Sequence, residues 1–246
     1  MIEKPLIALP DVTLICVTGV DFEGAKFALW ASQRGIKFGS AKLVHGCHDF
    51  VEESSFFKSE AAFNTNLKSI DDYNYYMIYQ LWRHVETEFA LIVQADGYVL
   101  NPELWHPEYL EFDYIGAPWP TSQHAYIDPF GNHQRVGNGG FSLRSKRLLE
   151  VPNRIDIPFE VNRSDFYNHM GVNLLSEDGN ICVHNRHLYL EDGCSFAPFD
   201  VALRFSIEKR LFQRAFARTF GFHKKIPIQS LIRDKRLRQI YRKLKV

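Results

Sequence analysis

Five apolar residues in unbroken succession at positions 89–93 (FALIV), followed at once by Gln94-Ala-Asp-Gly97, constrain this chain more than any other stretch. A strand with one wet face alternates apolar and polar residues. A run without alternation needs cover on both faces, as in the middle of a parallel sheet flanked by helices. Residues 12–17 have the same character; through Thr18-Gly-Val-Asp21 they lead into residues 22–32, where Ala25, Ala28, Leu29 and Ser32 share one helical face and Asp21 is placed to cap it. Strand, glycine turn and helix open many α/β domains, and residues 41–44 supply a second strand. In open sheets of this class ligands bind beyond the carboxyl ends of the strands, where Asp96 falls beside a permissive Gly97. Asp96 reads in two ways, as a ligand-facing carboxylate or as part of an Asp-Gly turn that ends the strand.

At 246 residues and 28.6 kDa the chain fits one large α/β domain with a substantial core. Its formal charge is zero but unevenly placed: residues 224–246 carry nine Lys or Arg against Asp234, so this tail is +8 and residues 1–223 are −8. Leu237, Ile240, Tyr241 and Leu244 recur at helical spacing in the tail, giving a cationic amphipathic helix suited to an anionic membrane surface or to packing back on the acidic body. No nucleic-acid recognition motif accompanies the charge, and no nucleic-acid partner is expected. Cys16, Cys47, Cys182 and Cys194 form no CxxC pair, which suits reduced thiols. The first eleven residues lack the cationic-then-apolar order of a signal peptide, and no run reaches the roughly 20 apolar residues of a membrane-spanning helix. The expected location is therefore cytoplasmic, with the tail offering a peripheral seat on the inner face of the cell membrane.

Several motifs carry chemistry. His45-Gly-Cys-His48 has zinc-ligand residue types but no second ligand pair at structural spacing, which argues against a zinc site. Residues 52–68 read as polar and loop-rich. A helix begins at Asp71, with Tyr75, Ile78, Tyr79, Trp82 and Val85 forming a stripe toward the sheet, while Asp71, Asp72 and Asn74 either cap its entrance or meet a nucleotide there. Residues 114–117 suit a short strand ended by Pro118-Trp-Pro120, where Trp119 offers either a stacking platform for a pyranose or base, or surface packing. A loop is expected over 121–134. Val136-Gly-Asn-Gly-Gly140 reads as a glycine-rich loop whose Asn138 amide can meet hydroxyls, or as a plain turn; it lacks the lysine of a P-loop. A strand over 141–145 and a short helix over 146–150 follow. Ser176 caps a predicted helix whose first turn holds Glu177 and Asp178; adjacent carboxylates point apart, so one can hold a hydroxyl while the other acts as base. His184 and His187 read as exposed or locally bonded, and residues 193–208 as a strand followed by an unevenly packed segment. His223, closing Phe220-Gly-Phe-His, offers with Asp96 an O/N donor pair for a divalent ion such as Mn²⁺.

Gln94-Ala-Asp-Gly-Tyr-Val-Leu100, Tyr114-Ile-Gly-Ala-Pro-Trp119, Val136-Gly-Asn-Gly-Gly-Phe-Ser-Leu-Arg144, Glu177-Asp178, Phe196-Ala-Pro198 and Phe220-Gly-Phe-His223 together resemble the ordered blocks of a bacterial family long labelled as of unknown function and allied to GT-A glycosyltransferases. The resemblance spans about residues 14–223. It implies a single GT-A-like domain over 1–223, with a Rossmann-like, mostly parallel central sheet flanked by helices, and residues 224–246 as a separate basic tail. It also implies a transferase moving a sugar from a nucleotide-sugar donor, UDP-sugar favoured, to a hydroxyl of a glycan or lipid-linked acceptor in bacterial surface polysaccharide synthesis, with inversion. Mn²⁺ or Mg²⁺ would bridge the donor diphosphate, held by Asp96 and His223. Thr18, Gln94, Asp96, Gly97, Trp119, Asn138, Gly139 and Gly140 would face donor and acceptor. Asp178 would be the base and Glu177 an acceptor-binding or alternative catalytic group. The chain departs from a full DxD motif, since Gln94 stands where that motif has its other acid. Competing expectations are a nucleotidyltransferase, which would want a basic residue in the turn at 18–21, and a non-catalytic glycan-binding protein.

Overall fold

The two unbroken apolar runs lie side by side. Strand β1 (Ile7–Thr18) pairs in parallel with β4 (Phe89–Val93), Val12 opposite Phe89 and Cys16 opposite Val93. The computed structural model describes residues 7–46, 54–119, 126–159, 176–208 and 219–223. With β2 (Ile36–His45), β3 (Lys58–Ala61), β5 (Tyr114–Pro118) and β6 (Val136–Ser145) these strands form a six-stranded sheet in the order β3-β2-β1-β4-β6-β5. The β3-β2, β2-β1 and β1-β4 pairings are parallel, whereas β6 runs antiparallel to both β4 and β5. The sheet is mixed, and with three of its five pairings parallel it is mostly parallel, as expected.

Alternation along each strand distributes the apolar runs to two cores. Leu14, Cys16, Leu91 and Val93 face helix α1 (Phe22–Ser32) through Ala25, Ala28 and Leu29. Ile15, Val17, Ala90 and Ile92 face helix α2 (Ile70–Tyr79) through Tyr76, Met77 and Ile78. Each fully buried Val, Leu, Ile or Met side chain contributes roughly 1.5–3 kcal/mol, which is why a run without polar residues is stable only between two helical layers. Asp21 caps α1 as expected, its Oδ1 accepting the Gly24 N–H at 2.9 Å. At the start of α2 the cap is Ser69, in a reciprocal capping box with Asp72, so Asp71 and Asn74 are released for other contacts.

The second half of the chain adds α3 (Lys146–Leu149), α4 (Glu177–Gly179) continuing into a π-helical turn (Asn180–His184), α5 (Arg186–Glu191) and α6 (Phe199–Phe205). A two-stranded parallel pair, β7 (Ser206–Ile207) and β8 (Gly221–Phe222), closes the described chain. Val99 bridges to Gly221 and the Leu100 N–H reaches the Phe220 carbonyl at 2.8 Å, drawing residues 219–223 against the segment after β4.

Three expectations are corrected here. Residues 58–61 form an edge strand rather than loop, held by a buried Lys42 whose Nζ donates to Glu60 and Glu86 at 2.9 Å each. The glycine-rich segment is the first half of β6, a strand buried along its whole length. Residues 199–205 are helical, and the strand expected before them shrinks to a single bridge between Tyr114 and Phe196. Cys16, Cys182 and Cys194 are buried and unbridged. Cys47 and His48, residues 121–125 of the expected loop, and the basic tail at 224–246 lie outside the described residues. His45 donates or accepts at 2.8 Å with Ser59 Oγ inside the sheet. Among the described residues no helix is long and apolar enough to cross a membrane.

Candidate functional site

Parallel pairing puts the carboxyl ends of β1 and β4 at the same edge of the sheet, where a cavity of about 360 Å³ opens between Thr18–Asp21, Leu67–Ile70 with Tyr73, and Gln94–Asp96. Thr18 Oγ1 accepts the N–H groups of Val20 and Asp21 at 3.3 and 3.1 Å, fixing the turn into α1. Gln94 and Gly97 exchange backbone hydrogen bonds of 3.0 and 2.9 Å, closing a two-residue turn with Ala95 and Asp96 at its tip. Asp96 therefore sits in the turn that one reading expected, and it also lines the cavity, with 46% of its side chain exposed.

Residue 223 arrives at this turn from the far end of the described chain. His223 Nε2 lies 2.9 Å from Gln94 Oε1 and 3.4 Å from Asp96 Oδ1, while Gln94 Nε2 donates to the Tyr73 hydroxyl at 2.7 Å. The ring occupies space left by two glycines. A Cβ on Gly140 would stand 2.1 Å from His223 Nε2, and one on Gly97 would stand 3.1 Å from Cδ2. Among the described residues no cluster of three His, Cys, Asp or Glu side chains could hold a metal ion. Asp96 supplies a carboxylate oxygen and Gln94 an amide oxygen, while His223 Nε2, which as placed donates to Gln94 Oε1, would ligate once that proton is given up. A sparse, partly open O/N set fits a hard cation such as Mg²⁺ or Mn²⁺ that takes its remaining ligands from water and substrate phosphates.

Successive residues of a strand point to opposite faces, and the neighbour of Gly140 serves a second corner. A Cβ on Gly139 would stand 2.0 Å from Glu177 Oε1. Glu177 is buried and accepts from Arg144 Nη2 at 3.0 Å; Arg144 is wholly buried, donates through Nε to Ser142 Oγ at 3.1 Å, and lies with its guanidinium carbon 5.1 Å from the Tyr114 ring centroid. Asn74, inside α2, accepts the Glu177 backbone N–H at 3.3 Å. Ser176 caps α4 as expected. Asp178 is half-buried and accepts from Gly139 N at 3.2 Å and Gly179 N at 2.8 Å. Burial, reinforced by the Glu177 carboxylate beside it, raises Asp178 to about 6. Rather than pointing apart, both carboxylates come to Gly139, Glu177 Oε1 against its Cα and Asp178 Oδ2 at its N–H, with Glu177 paired to Arg144.

Asn138 is buried beside these glycines, and its Oδ1 has no hydrogen-bond partner among the described residues. Trp119 is not a free platform. It is 3% exposed, stacked on Tyr126 with centroids 4.2 Å apart and 6° between planes, and seated over Gly137, where a Cβ would come within 2.2 Å of the indole. His187 packs edge-on against Phe130, away from both corners. Arg144, Tyr73 and Lys68 are residues here that the sequence reading did not single out, whereas Asn74, read as a cap or a nucleotide contact, instead holds the Glu177 N–H. Arg144 carries its own signal, a charge in a strand whose neighbours are all buried.

The chain is similar in structure to a protein described as "crystal structure of a glycosyltransferase involved in the glycosylation of the major capsid of PBCV-1", with a TM-score of 0.50 at 11% identity, covering 89% of this chain and 96% of that one. At that identity the likeness concerns the fold, which is GT-A-like around a mixed six-stranded sheet. No curated protein matches the sequence. Residues 57–223, more than half of the chain, match the family described as "Protein of unknown function (DUF5672)", and the chain belongs to that family.

Proposed function

We propose that the protein is a glycosyltransferase that moves a sugar from a nucleotide-sugar donor to a hydroxyl of a glycan or lipid-linked acceptor with inversion, in bacterial surface polysaccharide synthesis. The observation that carries this reading is the placement of Asp178. A carboxylate raised to about 6 is held by the backbone of Gly139, one residue along β6 from the glycine that makes room for His223. A base poised near the working pH takes a proton most effectively. In the transfer, the acceptor oxygen bonds to the anomeric carbon, the bond from that carbon to the diphosphate oxygen breaks with its electron pair leaving on the diphosphate, and the hydroxyl proton passes to Asp178.

The cavity at the ends of β1 and β4 is the donor seat in this reading. Its roughly 360 Å³ lies in the range of small-ligand pockets, with Thr18, Lys68, Gln94 and Asp96 on its walls, Gly97 beside His223 and a UDP-sugar as the favoured donor. Asp96 and His223 would hold Mn²⁺ or Mg²⁺, which when bound offsets charge on the leaving diphosphate. Asn138, with its unpartnered amide oxygen, and the Gly139-Gly140 backbone would lie against the sugar. Trp119 supports that wall by packing on Gly137. The +8 tail would seat the protein on an anionic membrane surface near a lipid-linked acceptor.

Thermal shift with UDP, other nucleoside diphosphates, nucleoside triphosphates and free glycans, each with and without Mn²⁺, tests the reading. Stabilisation that needs both nucleoside diphosphate and Mn²⁺ is expected. Stabilisation by nucleoside triphosphate alone would favour a nucleotidyltransferase, and by free glycan alone a non-catalytic binding protein. Co-sedimentation with anionic vesicles, before and after removal of residues 225–246, tests the tail; binding unchanged by the truncation removes the membrane role.

A further inference from the structure

Helix α2 separates two clefts of opposite character. The donor-side cavity has Lys68, Ser69 and Tyr73 on its α2 wall. The second, of about 430 Å³, is bordered by Phe63, Asn64, Thr65, Asp71, Tyr75 and Phe159 among others; no Lys or Arg lines it among the described residues, the nearby Arg83 guanidinium lying over the Phe63 ring at 5.4 Å and donating to Gln80 Oε1. Two aromatic rings stand open there, Tyr75 and Phe63, each 48% exposed. The Tyr75 ring is not loose. It packs against Tyr79 with centroids 4.6 Å apart and against Phe159 edge-on at 5.5 Å and 71°. A ring held on one side and bare on the other offers a flat apolar surface at little cost in side-chain freedom.

The polar groups around that ring are carboxylate, amide and hydroxyl, the set that exchanges hydrogen bonds with a polyhydroxylated ligand. Asp71 and Asp72 add negative charge, which disfavours a phosphate or nucleotide and separates this cleft from the Lys68 side. The loop between the clefts is also shared: Leu67 lines one and Asn64 the other, both in the left-handed region at φ 50° and 55°.

The cleft is mechanically continuous with the Asp178 corner. Asp71 lies about one helical turn before Asn74 on α2, and Asn74 holds the Glu177 backbone N–H. Behind Phe159, the Pro158 carbonyl accepts from Asn180 and Asn185 Nδ2 at 2.9 Å each, in the turn that continues from Asp178.

We propose that this cleft binds a neutral glycan, with one pyranose stacked on Tyr75 and its hydroxyls bonded to Asp71 and Asn64, as the subsite for acceptor sugars that lie beyond the reacting hydroxyl. Its role as an acceptor subsite rests on the transferase reading above; glycan binding itself does not.

Saturation-transfer NMR with short neutral oligosaccharides of glucose, galactose, mannose or N-acetylglucosamine tests it on the full-length protein. At least one oligosaccharide is expected to bind, to stay bound under saturating UDP and Mn²⁺, and to bind about tenfold more weakly to Tyr75→Ala, where the stacking face is gone. Tyr75→Phe keeps the ring and retains binding; Asp71→Asn, at an exposed position, weakens it without touching the ring. The proposal is overturned if no oligosaccharide binds, if UDP displaces the one that does, or if Tyr75→Ala leaves its affinity unchanged. Glycan binding without any UDP binding would sink the transferase reading and leave this cleft as a glycan site; UDP binding without glycan binding would do the reverse.

Discussion

Gly140 faces an open corner and Gly139 a closed one, although the two residues are consecutive on β6. At the open corner Asp96 sits on the tip of a tight turn with nearly half its side chain in solvent, next to a histidine and an amide. At the closed corner Asp178 is half-buried, bonded by two backbone N–H groups and crowded by Glu177, whose own charge is met by Arg144. The contrast shows how surroundings assign work to chemically equivalent groups. A preformed turn leaves Asp96 partly in solvent, while burial beside a second carboxylate raises Asp178 to about 6.

Substitutions at the two corners should therefore fail in different ways. Asp178→Asn removes the proton acceptor and is expected to lower the single-turnover transfer rate by about 10²–10⁴-fold, with nucleoside diphosphate affinity unchanged by calorimetry. Near-full transfer in that variant would mean the base lies elsewhere. Glu177→Gln leaves the buried Arg144 charge without its counter-charge and should destabilise the fold by about 3–5 kcal/mol in urea titration. An effect near zero would mean Arg144 is neutralised by another group. At the open corner, Asp96→Asn should leave stability within about 0.5 kcal/mol, as for an exposed surface position, yet weaken Mn²⁺ binding in the presence of UDP by about tenfold or more. Mn²⁺ affinity equal to that of the unaltered protein would separate Asp96 from any metal.

What was legible in the sequence follows the range of each signal. The two core strands and the Asp21 cap are written locally, as hydrophobic continuity and a capping residue before a helical stripe. Strand β3 is not, because Lys58-Ser-Glu-Ala61 has no apolar pattern and Glu60 is held by Lys42 and by His84, whose Nδ1 lies 2.5 Å from Glu60 Oε2. The glycine string at 137–140 reads as a loop because glycine is the commonest loop former, yet each of these glycines is small for a distant reason: Trp119 over Gly137, Glu177 beside Gly139, His223 beside Gly140. Trp119 between prolines reads as a surface ring, and its seat over Gly137 and its stacking on Tyr126 make it core. The closeness of Asp96 and His223 likewise depends on residues 219–223 docking along the segment after β4, which no local pattern encodes.

The smallest expected effect is on the pH dependence of stability, and it carries an unusual sign. Asp178 rises from an ordinary 3.8 to about 6 in the folded protein. Between those values the native state binds more protons than the unfolded chain, so the contribution of Asp178 is fully present below about pH 4 and is lost as pH rises through about 6. Glu60, lowered to about 2 chiefly by its hydrogen bond to His84, acts in the opposite sense, with stability present above the ordinary carboxylate range and lost as pH falls toward 2. Comparing the unaltered protein with Asp178→Asn cancels Glu60 and isolates Asp178. On raising the pH from about 5 to about 7.5, the unaltered protein should lose a few degrees of melting temperature relative to the variant, since 1 kcal/mol corresponds to roughly 2–4 °C at this size. The transfer rate of the unaltered protein should rise over the same interval as Asp178 ionises, so the state that does chemistry is the less stable one. Parallel melting curves would mean that Asp178 titrates as an ordinary carboxylate, and the closed corner would then lack the proton acceptor that sets it apart from Asp96.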